Sequence, residues 1–325
     1  MKNKRRKFII AFIIAGIIYS AVLYKNILIK SFVIAGVTQL AGAQVRIDGL
    51  SFDILDSSVH IKGFKMYNPE GFPKDVFIDI PKIEVEYDLS ALLKKNLHLV
   101  SAKIILKEVV VIKDKEGKLN VNSLKFTQKK EGQQVEPKQG ARKAMPMRID
   151  LLKLEIGRLI HKDLSRGDKP VVEVYDINIK KTYKNISGAT QLITLILAES
   201  LKPAAIKGAQ IYGVTALAGV AALPVGVASA LISQDTTRAV FQTNYERAYK
   251  ASLEATDELG DIIETNERQG YIKGRIQGTE VIVKIYKKAE NNTDIVVSAR
   301  KYIFPRLKTA EGLLYEISQK VKQAP

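Results

Sequence analysis

The chain has 325 residues, enough for about two folded domains, and no cysteine, which excludes disulfides, thiolate metal sites and a cysteine nucleophile. Its formal net charge of +17 gathers in the tail 1–7, in 24–31 and in the stretch 125–148, whereas 45–124 balances its charges. Nucleic-acid binding needs a basic face on a folded unit, so this distribution argues against it and favours anionic lipid headgroups as the partner.

In chain order, the tail MKNKRRK carries Lys2, Lys4, Arg5, Arg6 and Lys7 with no acid, and residues 8–24, FIIAFIIAGIIYSAVLY, carry no charge. At 1.5 Å per residue these ~17 positions span most of the ~30 Å hydrocarbon core of a bilayer. The pattern predicts a transmembrane anchor over 1–26, with Phe8, Ile13 and Ile17 in the hydrocarbon, Tyr24 at the distal interface and the basic end in the cytoplasm. A cleaved signal peptide opens in the same way, but a small-residue cleavage pattern is lacking after Tyr24.

Residues 27–43, ILIKSFVIAGVTQLAGA, continue apolar with Lys30 and Gln39 as polar breaks. They read either as a helix at the bilayer surface or as a helix plugging the end of the next domain. From Val45 the period becomes two, in 45–54, 59–67, 77–87 and 97–113, and phase slips at Gly49, Gly63 and Pro81 predict bulges or bends. Turn residues separate these runs, so the expected fold over 27–190 is an antiparallel β-meander curled into a groove with an apolar inside.

The short helix before VRIDGLSF, the NPEGF turn at Asn68–Phe72, the LSALLKK segment at Leu89–Lys95 and EGKLNVNSL at Glu116–Leu124 together resemble the N-terminal region of AsmA-like proteins. That resemblance covers about the first 190 residues. It implies a bacterial inner-membrane anchor, a periplasmic β-rich groove, a lipid-contacting role and a part in outer-membrane biogenesis. The lipid-contacting candidates on the apolar strand faces are then Ile83, Val85, Ile104, Leu106, Leu152, Leu154 and Ile156. One departure is size: at ~4.8 Å per strand, ten strands reach under about 50 Å, too short to bridge an envelope alone.

Residues 125–147 are rich in Gln, Lys, Gly and Pro and read as an exposed mobile loop, after which strands resume at 147–163 and 171–181. The segment 191–234 is apolar and rich in Ala and Gly. Residues 208–232 carry no charge, which fits either insertion in a membrane or a helix closing the groove. The remainder, 235–325, reads as an α-β-β-β-α unit, with a helix over 240–259 ended by Gly260, strands at 270–278, 279–288 and 293–302, and a helix over 309–321. It resembles small periplasmic lipoprotein-type domains, which implies export, whereas a full second span would return it to the cytoplasm. The whole is predicted as α+β.

His60, His98 and His161 are the only histidines, and none has a second ligand at metal spacing. His161 with Asp163 resembles half of a catalytic pair, without a nucleophile turn beside it. The expectation is therefore a non-enzymatic protein with no cofactor. Two classes of function remain: an envelope protein that contacts or transfers lipid, or a periplasmic scaffold for other envelope proteins whose groove is an ordinary core.

Overall fold

Alternating apolar and charged residues build a seven-stranded sheet in sequence order: β1 (Val45–Asp53), β2 (Ser58–Tyr67), β3 (Val76–Tyr87), β4 (Leu97–Lys113), β5 (Met147–Asp163), β6 (Val171–Ser187) and β7 (Ala221–Leu223). The computed structural model describes residues 24–125, 146–201, 221–223, 236–302 and 304–323. The predicted anchor positions Phe8, Ile13 and Ile17, the loop 126–145 and most of 204–232 lie outside them. Among the described residues no helix is long and apolar enough to cross a membrane.

The antiparallel expectation fails at one junction. β4 and β5 run parallel, Leu97 opposite Met147 and Lys113 opposite Asp163. The chain leaves the upper end of β4, passes through a 3-10 turn at Asn120–Ser123 and re-enters at the lower end, beside the start of β4. Such a long connection permits the parallel pairing that a hairpin forbids.

A transverse crease crosses this sheet. Pairing skips from Ile47 with Phe64 to Gly49 with Lys62, from Phe64 with Ile80 to Lys62 with Lys82, and from Leu106 with Ile156 to Glu108 with Arg158. Inward residues change parity there, from Ile104 and Leu106 to Val109 and Val111 in β4, and from Ile78 and Ile80 to Ile83 and Val85 in β3. Gly63 sits at φ +64, where a Cβ would strike the Asp48 carboxylate, and a Cβ on Gly157 would lie 2.5 Å from the Lys107 carbonyl. The predicted slips at Gly63 and Pro81 thus belong to one line of bulges that bends the sheet.

Helix α1 (24–41) runs beside edge strand β1. Lys30 Nζ donates to the Asp48 carbonyl and Phe52 N donates to Asn26 Oδ1, both at 3.0 Å, so α1 occupies an edge that would otherwise offer free backbone groups. Helix α2 (Leu89–Leu93) follows β3, capped by Asp88. Helix α3 (Ala189–Leu201) lies on the inner face, burying Leu195, Leu197 and Leu201. Within the apolar segment expected to be helical, Ala221–Leu223 instead pair with Thr182–Lys184 of β6, satisfying that strand's outer edge.

The C-terminal part contains β8 (Thr236–Phe241), α4 (Tyr245–Leu259), β9 (Asp261–Asn266), β10 (Tyr271–Ile276), β11 (Thr279–Ala289), β12 (Asn292–Lys301), β13 (Phe304–Pro305) and α5 (Leu307–Gln323). Its sheet runs β13-β12-β11-β10-β9, with β8 also on β12. Val240 and Phe241, expected at the start of the helix, belong to β8. The helix begins only after Asn244, whose Oδ1 accepts from Arg247 N, and the β-branched run before that cap prefers the sheet. The β9–β10 hairpin adds a strand that the α-β-β-β-α expectation lacked.

Helix α5 joins the two sheets. One side packs on β6, the other on β8, β12 and α4. Val110, Ile112, Ile160, Val172 and Val174, on the outer face of the upper part of the first sheet, share one core with Leu313, Leu314 and Ile317 of α5 and with the second sheet.

Candidate functional site

The seven strand candidates fall on one face and largely in rows. Ile83 pairs with Ile104, which pairs with Leu154; Leu106 pairs with Ile156; Val85 and Leu152 both flank Ala102. Ile104, Leu106, Leu152, Leu154 and Ile156 are at most 5% exposed, while Ile83 and Val85 are half-buried at the margin of the same cluster. Helix α3 packs on this face over β5 and β6 and fastens itself there: Lys181 Nζ on β6 meets the buried Glu199 of α3 at 2.9 Å. Burial, with Glu199 nearby, pushes the Tyr183 hydroxyl well above its ordinary value. A charge pair held within an apolar face makes the placement of α3 specific, because either partner alone would be left uncompensated.

An open apolar surface lies instead along α1. The side of α1 bearing Val33, Ile34, Val37 and Ala41 packs on the core. Tyr24, Ile27, Leu28, Phe32 and Leu40 are each at least half exposed, Phe32 most of all. A groove of about 1240 Å³ opens between the upper half of α1 and the turn after β2. Ile34, Ala35 and Thr38 form one wall, Tyr67, Pro69 and Phe72 the other, and Lys74, Lys125 and Glu70 also line it. Small-ligand pockets measure roughly 300–1,000 Å³, so this groove is somewhat larger than a typical metabolite site.

Its far wall is rigid because the two motif asparagines meet. Asn120 Nδ2 donates to Asn68 Oδ1 and to the Val110 carbonyl, both at 2.8 Å, and Asn120 Oδ1 accepts from Ile112 N at 3.0 Å. Asn68 Nδ2 in turn donates to the Pro73 carbonyl. NPEGF and GKLNVNSL, 52 residues apart, therefore form one buried lock that holds the turn against the end of β4. At the other wall, Gly42 takes φ +69 to end α1, and a Cβ there would meet the Lys125 side chain.

The histidines sit in carboxylate networks. His98 Nε2 lies 2.7 Å from Asp150 Oδ2, and this contact, with Arg148, holds the Asp150 carboxyl below its usual range. His161 faces Glu173 across the β5–β6 pair at 3.7 Å and holds that carboxyl low in the same way. Asp163 turns to Ser165, Arg166 and Lys113 instead, so the half-pair suggested by sequence spacing is not assembled. Among the described residues no group of three or more metal-ligating side chains converges. A second, polar cleft of about 540 Å³ lies between the upper part of the sheet and α5, where Lys162 bonds Glu316 at 2.6 Å and Arg158 bonds Glu108 at 2.7 Å beneath Tyr315. The first pair ties α5 to β5 and the second links β4 to β5 within the first sheet.

Sequence reasoning did not find the groove. The signal was present: 27–43 has apolar residues around the whole helix circumference, so one stripe had to remain uncovered once the other packed. No protein-family model and no curated protein sequence matches the chain.

Proposed function

We propose that the protein is a non-catalytic, membrane-anchored envelope protein that contacts lipid along α1, with the groove between α1 and the Asn68–Pro73 turn receiving an acyl chain. The observation that carries this reading is a helix apolar on both faces, following directly on an uncharged stretch of ~17 residues that suits a membrane span. Each CH2 moved from water into such a groove contributes about 0.8 kcal/mol, so ten carbons would hold a chain without any polar contact. Lys74 and Lys125 offer charge to a phosphate headgroup. The resemblance to AsmA-like proteins implies the bacterial inner membrane for such a protein, with its sheets in the periplasm.

This proposal moves lipid contact from the sheet's inner face to the helix, because the candidates on β4 and β5 are buried in the protein's own core. A photo-crosslinking side chain at Thr38 of the full chain, activated in native membranes, tests it. Phospholipid adducts identified by mass spectrometry are expected, and Ala35→Glu, an exposed helical change of small intrinsic cost, should reduce them about tenfold by removing roughly two CH2 contacts. Adducts to protein alone would favour the second reading, a scaffold for other envelope proteins. The sealed inner face supports that alternative, since it behaves as an ordinary core.

A further inference from the structure

At the lower end of the first sheet, leucines stand in the open where turns are normally polar. Leu55, at the tip of the β1–β2 turn, is 95% exposed, and Leu93, at the end of α2, is 78% exposed. Ile54 beside the first and Ile27 and Leu28 on α1 are each about half exposed or more. Single exposed leucines need no explanation, but several at one end of a molecule form a patch that marks an interaction surface.

These side chains are held in place by a bonded framework. Asn26 of α1 accepts from Phe52 N, the Phe52 ring stacks on Tyr87 at 5.2 Å, and the Tyr87 hydroxyl donates to the Asp53 carbonyl at 2.9 Å. Tyr87 N donates to the Ser57 carbonyl, so the β1–β2 turn, the end of β3 and the start of α1 form one platform. Two of its acids are turned inward onto backbone amides: Asp53 accepts from Leu55 N and Asp56 N, and Asp88 from Ser90 N and Ala91 N. Lys94 and Lys95, directly after Leu93, are exposed. The platform therefore presents Leu93 beside two cations and Leu55 beside Ile54 and the exposed Asp56, and the uncharged stretch 8–23 joins the chain here, at Tyr24.

We infer that this end is a membrane-docking face, with Leu55 and Leu93 seated in the interfacial layer of an anionic bilayer and Lys94 and Lys95 on its headgroups. The inference rests on the anchored reading above and adds an orientation to it: the sheet stands upright on the membrane, and the exposed stripe of α1 leads from the bilayer up to the groove. Apolar side chains at this depth lie ~5–10 Å into the boundary between headgroups and acyl chains, and basic residues beside them are attracted to an anionic surface.

The chain has no tryptophan, so a single one reports its own surroundings. Leu55→Trp, Leu93→Trp and, on β11 of the second sheet, Tyr286→Trp are each introduced into the full chain. Each variant is reconstituted into vesicles of phosphatidylglycerol and phosphatidylethanolamine, with or without brominated acyl chains. Flotation with the vesicles together with loss of emission on brominated lipid at positions 55 and 93, and none at 286, is the expected result. Flotation with equal aqueous quenching by iodide at all three positions overturns the docking face while leaving the anchor standing. Shielding from iodide without quenching by brominated lipid means that protein, such as a second copy, covers the patch, and it also overturns the inference. Failure to float overturns the anchored reading and this inference together.

Discussion

Glu311 shows how single groups tune this molecule. It sits on α5 against Asp176 of β6, half-buried, and burial together with the Asp176 charge pushes its carboxyl up to about 7 from an ordinary 4.5. A carboxyl raised in the folded state favours folding fully below its unfolded value, and that contribution is lost as pH rises through the folded one. Thermal stability should therefore fall between about pH 5 and pH 8, and Glu311→Gln should flatten the fall, gaining about 1 kcal/mol at pH 8 once solvent screening is discounted. Thermal melts of both proteins across that range check it; an unchanged slope in the variant would remove Glu311 as the cause. The lowered carboxyls of Asp150, Asp163 and Glu173 act in a separate window, stabilising above their unfolded values and losing that contribution as pH falls through their folded ones.

At the scale of elements, α5 depends on a glycine at its contact with β6. A Cβ on Gly312 would lie 2.0 Å from the Val172 carbonyl, and the backbone of a strand cannot retreat as a flexible side chain would. Gly312→Ala should cost about 2–4 kcal/mol in urea unfolding by lifting the helix off the sheet. Gly36, in the interior of α1, is the contrast: a Cβ there meets nothing within 4 Å, and Gly36→Ala should stabilise by roughly 0.5–1 kcal/mol. Equal effects at the two positions would mean that close approach of α5 to Val172 is not what selects glycine. The same scale explains the crease. Six strands can bend at one level only because each supplies a bulge, a glycine, a proline or a left-handed residue there, including Asn178 at φ +46.

For the whole molecule, the two sheets share one hydrophobic core through α5. The valines and isoleucines shared between the upper strands and α5 each contribute about 1.5–3 kcal/mol by burial, and most of the residues of their cluster come from 236–325. Deleting 236–325 should leave a product that binds a hydrophobic dye and aggregates, as size-exclusion chromatography and dye fluorescence will show. A monomeric fragment with native-like melting would mean that the first sheet is self-sufficient.

Much of this architecture was legible because it is local. Strict alternation placed β1 to β5 within a residue or so and the start of β6, which runs six residues past the expected end to Ser187; the phase slips at Gly63 and Pro81 marked the crease, and Gly260 ended α4 as read. The apolar residues chosen on β3, β4 and β5 do share one face. What alternation cannot carry is which partner covers that face, because Ile104 and Leu154 look the same beneath lipid or within the protein's own core. The parallel β4–β5 junction, the assignment of Val240 and Phe241 to a strand, and the uncovered stripe of α1 were set by contacts between residues far apart in the chain. Sequence by itself determined periods, breaks and the placement of charge, each a property of neighbouring residues. Only the tertiary structure decided the sealing of the inner face, the lock between Asn68 and Asn120 and the gathering of Leu55 and Leu93 at one end, since burial is a relation between distant segments.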